Sequence, residues 1–282
     1  MIHATLIDTA TLHAHLDDPG WIVVDCRFSL MDTAAGRRAY AEGHLPGARY
    51  AHLDEDLSSP ITLASGRHPL PDPARLTQRL GEWGIGNNTQ VVAYDDAGGM
   101  LAAARLWWLL RWLGHTACAV LDGGIVAWRQ AGLPLTAESP AVQPARFEAR
   151  SNDQLWLTTA QVQALTTTEL LLDARAAARY RGEMEPIDPV AGHIPGAVNL
   201  PTENNLTADG RFLPIGELRL RFVDVLGGRP PTAAVHACGS GVTACHSLLA
   251  MEAAGLGGSR LYAGSWSEWI RDPGRPVATG AT

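Results

Sequence analysis

Continuous apolar runs of four or five residues recur along the chain. They lie at residues 21–25, 90–94, 117–121, 170–173 and 233–237. A run that is apolar without alternation is typical of a strand buried on both faces, as in a parallel sheet. The segments between these runs favour helices, notably at 9–16, 34–42, 73–83 and 100–113. Strands that alternate with helices predict an α/β fold, in which parallel sheets carry helices on both faces.

The second half of the chain repeats the landmarks of the first half in the same order. The matched pairs are 23–25 with 170–173, 43–48 with 192–197, 91–94 with 233–237, and 121–124 with 262–266. The spacing from the acid that ends the strand to the histidine of the turn is 44 − 25 = 19 in the first half and 193 − 173 = 20 in the second. A duplicated unit of about 130 residues lies within the usual range for a domain.

The boundary between the two repeats is predicted in an aperiodic, proline-containing stretch. We therefore expect an N-terminal domain at 1–137, a linker at 138–150 and a C-terminal domain at 151–282.

Composition narrows the classes of function. The chain of 282 residues is 46% hydrophobic, which suffices for a substantial core. A net charge of −7 argues against nucleic acid or an anionic membrane as the main partner. Four cysteines do not make a disulfide framework. The N-terminus shows no secretory pattern, so we expect a cytosolic protein.

The most apolar helix candidate, at 100–113, is too short to span a bilayer, and it carries Arg105 and Arg111. Its tryptophans at 107, 108 and 112 are predicted to be core residues rather than a cofactor site.

The segment from 233 to about 252 carries the most informative chemistry. An apolar run leads to Cys238, two glycines follow at Gly239 and Gly241, and a helical run comes next. Glycine allows positive φ angles and turned-in N–H groups, and the start of the helix adds free amides and a positive dipole. Such donors favour a thiolate over a thiol, so Cys238 is predicted to be a nucleophile in an anion cradle.

Other interpretations of the cysteines are weaker. Cys26 and Cys118 lie in apolar runs and are predicted to be core residues, as is Cys245 on the helix. Common zinc spacing is absent around Cys238, and a disulfide from Cys238 to Cys245 is not expected without a secretory signal. Alignment of strand ends places Asp95 opposite Cys238, so only the C-terminal half is predicted to be catalytic.

Several motifs together resemble the tandem rhodanese-like sulfurtransferases. They are the loop Cys238–Thr243, both His-x-Pro-Gly-Ala turns, the Asp-Gly-Gly at 122–124 and the segment 179–186. The loop Cys-Gly-Ser-Gly-Val-Thr is similar to that of 3-mercaptopyruvate sulfurtransferases. Thiosulfate-preferring rhodaneses usually carry basic residues directly after the cysteine.

This resemblance implies sulfur transfer by double displacement. Cys238 would take a sulfur from 3-mercaptopyruvate or thiosulfate as a persulfide, and pass it to thioredoxin, a small thiol or cyanide. The resemblance implies no cofactor and no metal. It also implies a proton relay of Ser240, His68 and Asp54.

The resemblance further implies the donor-binding residues. Arg181 would bind the carboxylate of the donor, and the loop residues Gly239, Gly241, Val242 and Thr243 would surround the sulfur. Many members of the family have a second arginine where this chain has Ile187-Asp188. That difference leaves the preferred donor open, with Arg105 and Arg179 as substitute cations.

Two other functions were weighed against sulfur transfer. A cysteine phosphatase needs an arginine six residues after the nucleophile, and here that position is Ala244. A rhodanese-like binding module would not need Cys238, Ser240, His68 and Asp54 together.

Overall fold

The computed structural model of the protein describes residues 2–281, which form two compact units. The first unit runs to Ser59 and adds Leu70–Asn152 and Ala208–Phe212. The second unit comprises Pro60–Pro69, Asp153–Thr207 and the chain from Leu213 onward. Residues 60–69 were predicted as part of the N-terminal domain, and the structure places them in the second unit.

The first unit is a five-stranded sheet with helices. Its strands β1 to β5 are Leu6–Ile7, Trp21–Asp25, Arg49–Tyr50, Gln90–Tyr94 and Cys118–Leu121. Its helices α1 to α5 are Thr9–Ala14, Ala35–Glu42, Pro73–Glu82, Ala102–Trp112 and Gly124–Gln130. The sheet has the order β1-β5-β4-β2-β3, and every pairing is parallel.

The second unit has the same architecture. Its strands β6 to β10 are Trp156–Leu157, Leu170–Asp173, Val198–Asn199, Ala234–Ala237 and Arg260–Tyr262. Its helices α6 to α10 are Thr159–Gln163, Ala177–Tyr180, Ile215–Leu226, Ala244–Ala253 and Ser265–Trp269. Short 3₁₀ helices lie at Asp153–Leu155, Thr202–Asn205 and Pro231–Ala233.

The second sheet reproduces the first strand for strand. Its order is β6-β10-β9-β7-β8, again with parallel pairing throughout. β4 and β9 are therefore the matched central strands of the two sheets. The predicted α/β fold with two parallel sheets is confirmed, and so is the internal duplication.

Each unit has a hydrophobic core in which apolar side chains of the strands pack against those of the helices. In the first unit Val92 and Tyr94 of β4 pack in one cluster with Trp128 of α5. In the second unit Val235 and Ala237 of β9 pack with Trp269 of α10. Burial on this scale, at about 25 cal/mol per Å² of apolar surface, provides the main stabilisation of each unit.

Helix α4 is a core element. Trp107, Trp108 and Trp112 are 1%, 3% and 3% exposed, which confirms the prediction that they pack in the interior. The indole N–H of Trp107 donates to the carbonyl of Ala4 at 2.8 Å. No helix within residues 2–281 is both long enough and apolar enough to cross a bilayer.

The histidines of the two repeated turns have structural contacts. His44 stacks on Tyr40, with ring centroids 3.8 Å apart, and His193 stacks on Tyr180 at 3.7 Å. Nδ1 of each histidine lies within hydrogen-bond distance of the carbonyl of the same tyrosine.

The acids that end β2 and β7 pair with nearby arginines. Arg27 bonds Asp25 at 2.6 Å, and Arg175 bonds Asp173 at 2.6 Å. The same guanidinium then donates to a carbonyl of the repeated turn, at Gly43 or Gly192. These contacts fix the end of each strand to the turn that follows.

The predicted linker at 138–150 has no helix and no strand. It lies along the first unit, where the N–H groups of Ala145 and Arg150 donate to carbonyls of Gly81 and Leu113 at 2.9 Å. Phe147 is 6% exposed and anchors this stretch.

Candidate active site

Cys238 lies at the carboxyl end of the central strand of the second sheet. β9 ends at Ala237, the loop 238–243 follows, and α9 begins at Ala244. Cys238 is 3% exposed. The carboxyl ends of parallel strands are where open α/β sheets bind their ligands, so this loop is the first place to look for chemistry.

The loop has a tight backbone that requires glycine at one position. Gly241 has φ +75°, and a Cβ there would lie 2.2 Å from the carbonyl oxygen of Ala263. Within residues 2–281, the N–H groups of Gly239, Ser240, Val242 and Thr243 form no hydrogen bond with a protein acceptor. These amides precede α9, where the dipole adds positive potential, and so they are available to an anion.

Ser265 holds the backbone of the nucleophile, and the sequence analysis did not identify it. Its Oγ accepts from the N–H of Cys238 at 3.0 Å and donates to the carbonyl of Tyr262 at 2.9 Å. Its φ of +52° is the only positive value at a non-glycine residue in the described chain. A strained backbone angle at a non-glycine residue is typical of functional sites. The matched residue of the first unit is Gly124, with φ +54°, and a serine in the place of a glycine is the signal that could have identified Ser265 from the sequence.

Ser240 and His68 are brought together by the fold. Oγ of Ser240 lies 2.7 Å from Nδ1 of His68, and the two residues are 7% and 5% exposed. Which atom donates depends on the tautomer of the imidazole. Only Gly239 separates Ser240 from Cys238 in the chain, so a pair that can transfer a proton lies in the same loop as the nucleophile.

Asp54, the third residue of the predicted relay, is exposed in a turn of the first unit. Its N–H donates to Nδ1 of His52 at 3.2 Å. Its role in a relay stays a prediction.

The side-chain hydrogen bonds that Arg181 forms within the described chain do not reach the loop at 238–243. Its guanidinium pairs with Glu183, with Nε to Oε1 at 2.7 Å, and its side chain is 37% exposed. Arg179 is the arginine beside the loop, since a Cβ on Gly239 would lie 3.7 Å from its Nη2. The contacts of Arg181 give its predicted role in donor binding no support.

A connected ion-pair cluster surrounds Arg179. Glu185 accepts from Arg179 at 2.7 Å and contacts Arg175 at 3.5 Å, and Asp188 contacts Arg179 at 3.1 Å. Burial opposes the ionisation of Glu185, but hydrogen bonds from Arg179 and from the backbone N–H groups of Asp188 and Ile187, with the charge of Arg179, together lower the pKa of Glu185. Burial also acts against the charge of Arg175, yet Asp173, Glu185 and Cys238 raise its pKa.

The other cysteines have no such surroundings. Burial raises the pKa of the Cys26 and Cys118 thiols well above the usual range, so both stay protonated. Cys245 is fully buried on α9, and its Sγ donates to the carbonyl of Gly241 at 3.3 Å. All four cysteines are free thiols and buried, and Cys26, Cys118 and Cys245 occupy the predicted core positions.

The matched loop of the first unit shows how this loop type treats an anion. Asp95 directly follows β4, and the N–H of Ile125 donates to its carbonyl at 3.0 Å. In the second unit the N–H of Trp266 donates to the carbonyl of Cys238 at the same distance. Asp95 therefore stands at the position of Cys238, as the alignment of strand ends predicted.

Four backbone N–H groups converge on the carboxylate of Asp95. They belong to Ala97, Gly99, Leu101 and Ala103, at 2.9, 2.8, 3.2 and 3.4 Å. Burial raises the pKa of Asp95, and the amides of Ala97 and Gly99 oppose that rise. The first unit thus fills this loop with the carboxylate of Asp95, while the second unit has Cys238 at the matched position.

Replacing Asp95 with alanine should destabilise the protein. The change leaves four N–H donors without their acceptor, two of them buried, and we expect a loss of about 3 kcal/mol in the free energy of unfolding. Urea denaturation followed by circular dichroism measures it. Asp96→Ala, at the exposed neighbouring position, is the matched control and should change stability by less than about 0.5 kcal/mol. Equal losses in the two variants would contradict the cradle.

Comparison with known families adds independent evidence. The rhodanese-like domain family matches residues 8–131 and 157–272. These two matches include β2 to β5 of the first sheet, β7 to β10 of the second sheet and the loop at 238–243.

Similar proteins cover nearly the whole chain. A probable 3-mercaptopyruvate sulfurtransferase of Pseudomonas aeruginosa is 51% identical over 284 residues, which span 99% of this chain and 100% of the relative. A putative thiosulfate sulfurtransferase of Mycobacterium tuberculosis is 41% identical over 266 residues, 92% of this chain and 90% of the relative. The structure of a 3-mercaptopyruvate sulfurtransferase from Leishmania major matches with a TM-score of 0.84 and 32% identity, over 95% of this chain and 75% of that one.

Proposed function

Because this chain belongs to the rhodanese-like family and is a sulfurtransferase, we propose that it moves sulfur from 3-mercaptopyruvate to a thiol acceptor through a persulfide on Cys238. The observation that carries the choice of donor is the Ser240–His68 pair, 2.7 Å apart, two residues from Cys238. When 3-mercaptopyruvate loses its sulfur, the product leaves as a carbanion that needs a proton, and this pair can deliver one.

In the first half-reaction the Cys238 thiolate attacks the sulfur of 3-mercaptopyruvate. The new S–S bond forms as the C–S bond breaks, and the electrons of the C–S bond leave on carbon as the enolate of pyruvate. Protonation of the enolate gives pyruvate and leaves the enzyme as the persulfide. One thiolate, one donor and one proton therefore become one persulfide and one pyruvate.

The backbone of the loop at 238–243 provides N–H donors for the negative charge that develops at the active site. The amides of Gly239, Ser240, Val242 and Thr243 have no protein acceptor within residues 2–281, and together with the start of α9 they would donate to the negative charge of the reacting group. Asp95 in the matched loop, with its four N–H donors, supports this role for the backbone.

Ser240 and His68 would handle the proton. The hydroxyl of Ser240 would give its proton to the leaving carbon, and the imidazole of His68 would replenish that proton. Asp54 would orient His68 as the third member of the relay.

In the second half-reaction an acceptor thiolate attacks the outer sulfur of the persulfide and regenerates the Cys238 thiolate. Cyanide can act in the same way. Thioredoxin or a small thiol in the cytosol is the acceptor that this proposal favours, since thiols are kept reduced there.

Thiosulfate is the second candidate donor. Arg67 and Arg179 both approach Gly239, and their positive charges suit an inorganic anion as well as a carboxylate. No protonated leaving group is needed with thiosulfate, because sulfite leaves as a stable anion.

A side-by-side measurement of kcat/KM for the two donors tests the proposal. We expect kcat/KM for 3-mercaptopyruvate to exceed that for thiosulfate by about tenfold or more, because the loop itself has no basic residue after Cys238. A preference for thiosulfate would favour the second candidate. No turnover with either donor would instead favour a binding module.

A further inference from the structure

Two guanidinium groups approach the residue that follows Cys238. A Cβ at Gly239 would lie 3.0 Å from Nη2 of Arg67, and 3.7 and 3.8 Å from Nη2 and Nη1 of Arg179. The two cations therefore meet at one point beside the loop. Arg67 comes from the segment 60–69 and Arg179 from α7, so only the fold of the second unit brings them together.

Both arginines keep N–H groups that no protein acceptor within residues 2–281 uses. Arg67 bonds Asp188 through Nη1, while its Nε is buried and unpaired and its Nη2 points to Gly239. Arg179 uses Nε and Nη2 for Glu185 and Asp188, which leaves Nη1. A planar anion beside Gly239 could accept from both guanidinium groups.

Asp188 links the two arginines. Its Oδ1 contacts Arg67 and its Oδ2 contacts Nη2 of Arg179 at 3.1 Å, and its side chain is 2% exposed. The backbone N–H of Asp188 donates to Oε1 of Glu185 at 3.1 Å, which holds the backbone of residue 188 in place. A buried carboxylate shared by two guanidinium groups holds them at a set separation.

We propose that Arg67 supplies a second cation, beside Arg179, for the anionic group of the sulfur donor, and that Asp188 positions Arg67 and sets which donor charge is preferred. This inference rests on the function proposed above. The chain has Asp188 where a second arginine was expected, and Arg67 supplies the cation from another segment.

The charge of the cluster indicates the class of donor. Three arginines, Arg67, Arg175 and Arg179, are joined to three carboxylates, Asp173, Glu185 and Asp188. Their formal charges cancel, so an incoming anion gains hydrogen bonds but little net attraction. A dianion is repelled by Asp188 more strongly than a monoanion at the same place. The site therefore favours a singly charged 2-oxo acid thiol over dianionic thiosulfate.

Two variants test this inference, with kcat and KM measured for both donors. Arg67→Gln should raise KM about tenfold or more for each donor, with kcat changed by less than about threefold, because a charged hydrogen bond to the bound donor is lost. Asp188→Asn keeps the shape and removes the charge. It should raise the ratio of kcat/KM for thiosulfate to that for 3-mercaptopyruvate about tenfold.

Arg260→Gln is the matched control. Arg260 is paired with Glu169 at 2.7 Å in the same unit, and its loss should change neither KM nor the donor ratio. An unchanged KM in Arg67→Gln, or an unchanged donor ratio in Asp188→Asn, would overturn the inference. If Arg67→Gln does not fold, the ratio in Asp188→Asn still decides, since loss of folded enzyme lowers both rates equally.

The uptake of sulfur by the wild-type enzyme separates this inference from the proposed function. Intact mass after incubation with either donor shows whether a persulfide forms. If no sulfur is taken up, the proposed function fails and this inference with it. If sulfur is taken up while both variants behave as wild type, only the roles of Arg67 and Asp188 are refuted.

Discussion

Changing Cys238 to serine should reduce kcat/KM for 3-mercaptopyruvate by about 10⁴-fold or more. A hydroxyl cannot carry a sulfane sulfur, so no covalent intermediate forms and the double displacement stops at its first step. The assay is the release of pyruvate with a saturating thiol acceptor. The variant should remain folded, because serine is nearly isosteric with cysteine and the N–H of residue 238 keeps its bond to Ser265.

Cys118→Ala is the control for this variant. Cys118 is fully buried in the first unit and its thiol stays protonated, so its removal can cost stability but should leave kcat/KM within about threefold of wild type. Retention of more than a few per cent of wild-type activity in Cys238→Ser would show that another group carries the sulfur.

The second large effect is expected at Ser240. Ser240→Ala should lower kcat for 3-mercaptopyruvate by about 10²-fold, because the hydroxyl that delivers the proton to the enolate is lost. The same change should affect thiosulfate by less than about fivefold, since sulfite needs no proton to leave. His68→Gln should show the same donor dependence, because Nδ1 of His68 lies 2.7 Å from Oγ of Ser240.

Ser247→Ala provides the comparison for Ser240→Ala. Ser247 is buried on α9, and its hydroxyl has no hydrogen-bond partner within residues 2–281, so both donors should react as with wild type. Equal losses with the two donors in Ser240→Ala would remove the serine from proton transfer. It would then be a structural residue of the loop.

The central strands could be predicted from the sequence because burial on both faces leaves an uninterrupted apolar run. Gln90–Tyr94 is buried at all five positions and was found to the residue. Edge strands could not be found in this way. Leu6–Ile7 and Trp156–Leu157 have two residues each, too few for any period to appear.

The position of the nucleophile was also predictable, because it depends on local order along the chain. A strand, a cysteine, two glycines and a helix determine the loop at Cys238 without reference to the rest of the fold. The approach of Arg67 was not predictable. It depends on residues 60–69 packing in the second unit, which is a tertiary contact with no local signal.

The choice between Arg179 and Arg181 shows a further limit. The two residues lie two positions apart at the end of α7, which has only four residues. Side chains at i and i+2 of a helix point to different sides, so the helix phase decides which one faces the loop. Four residues carry too little periodic pattern to fix that phase.

The most direct test of the account is the intact mass of the wild-type protein after incubation with excess 3-mercaptopyruvate and removal of the donor. The proposed mechanism predicts a gain of one sulfur atom per chain, located on Cys238 by peptide mapping and discharged by an added thiol or cyanide. The gain should be absent in Cys238→Ser and present in Cys118→Ala. A gain that persists in Cys238→Ser, or no gain in the wild type, would contradict the persulfide mechanism.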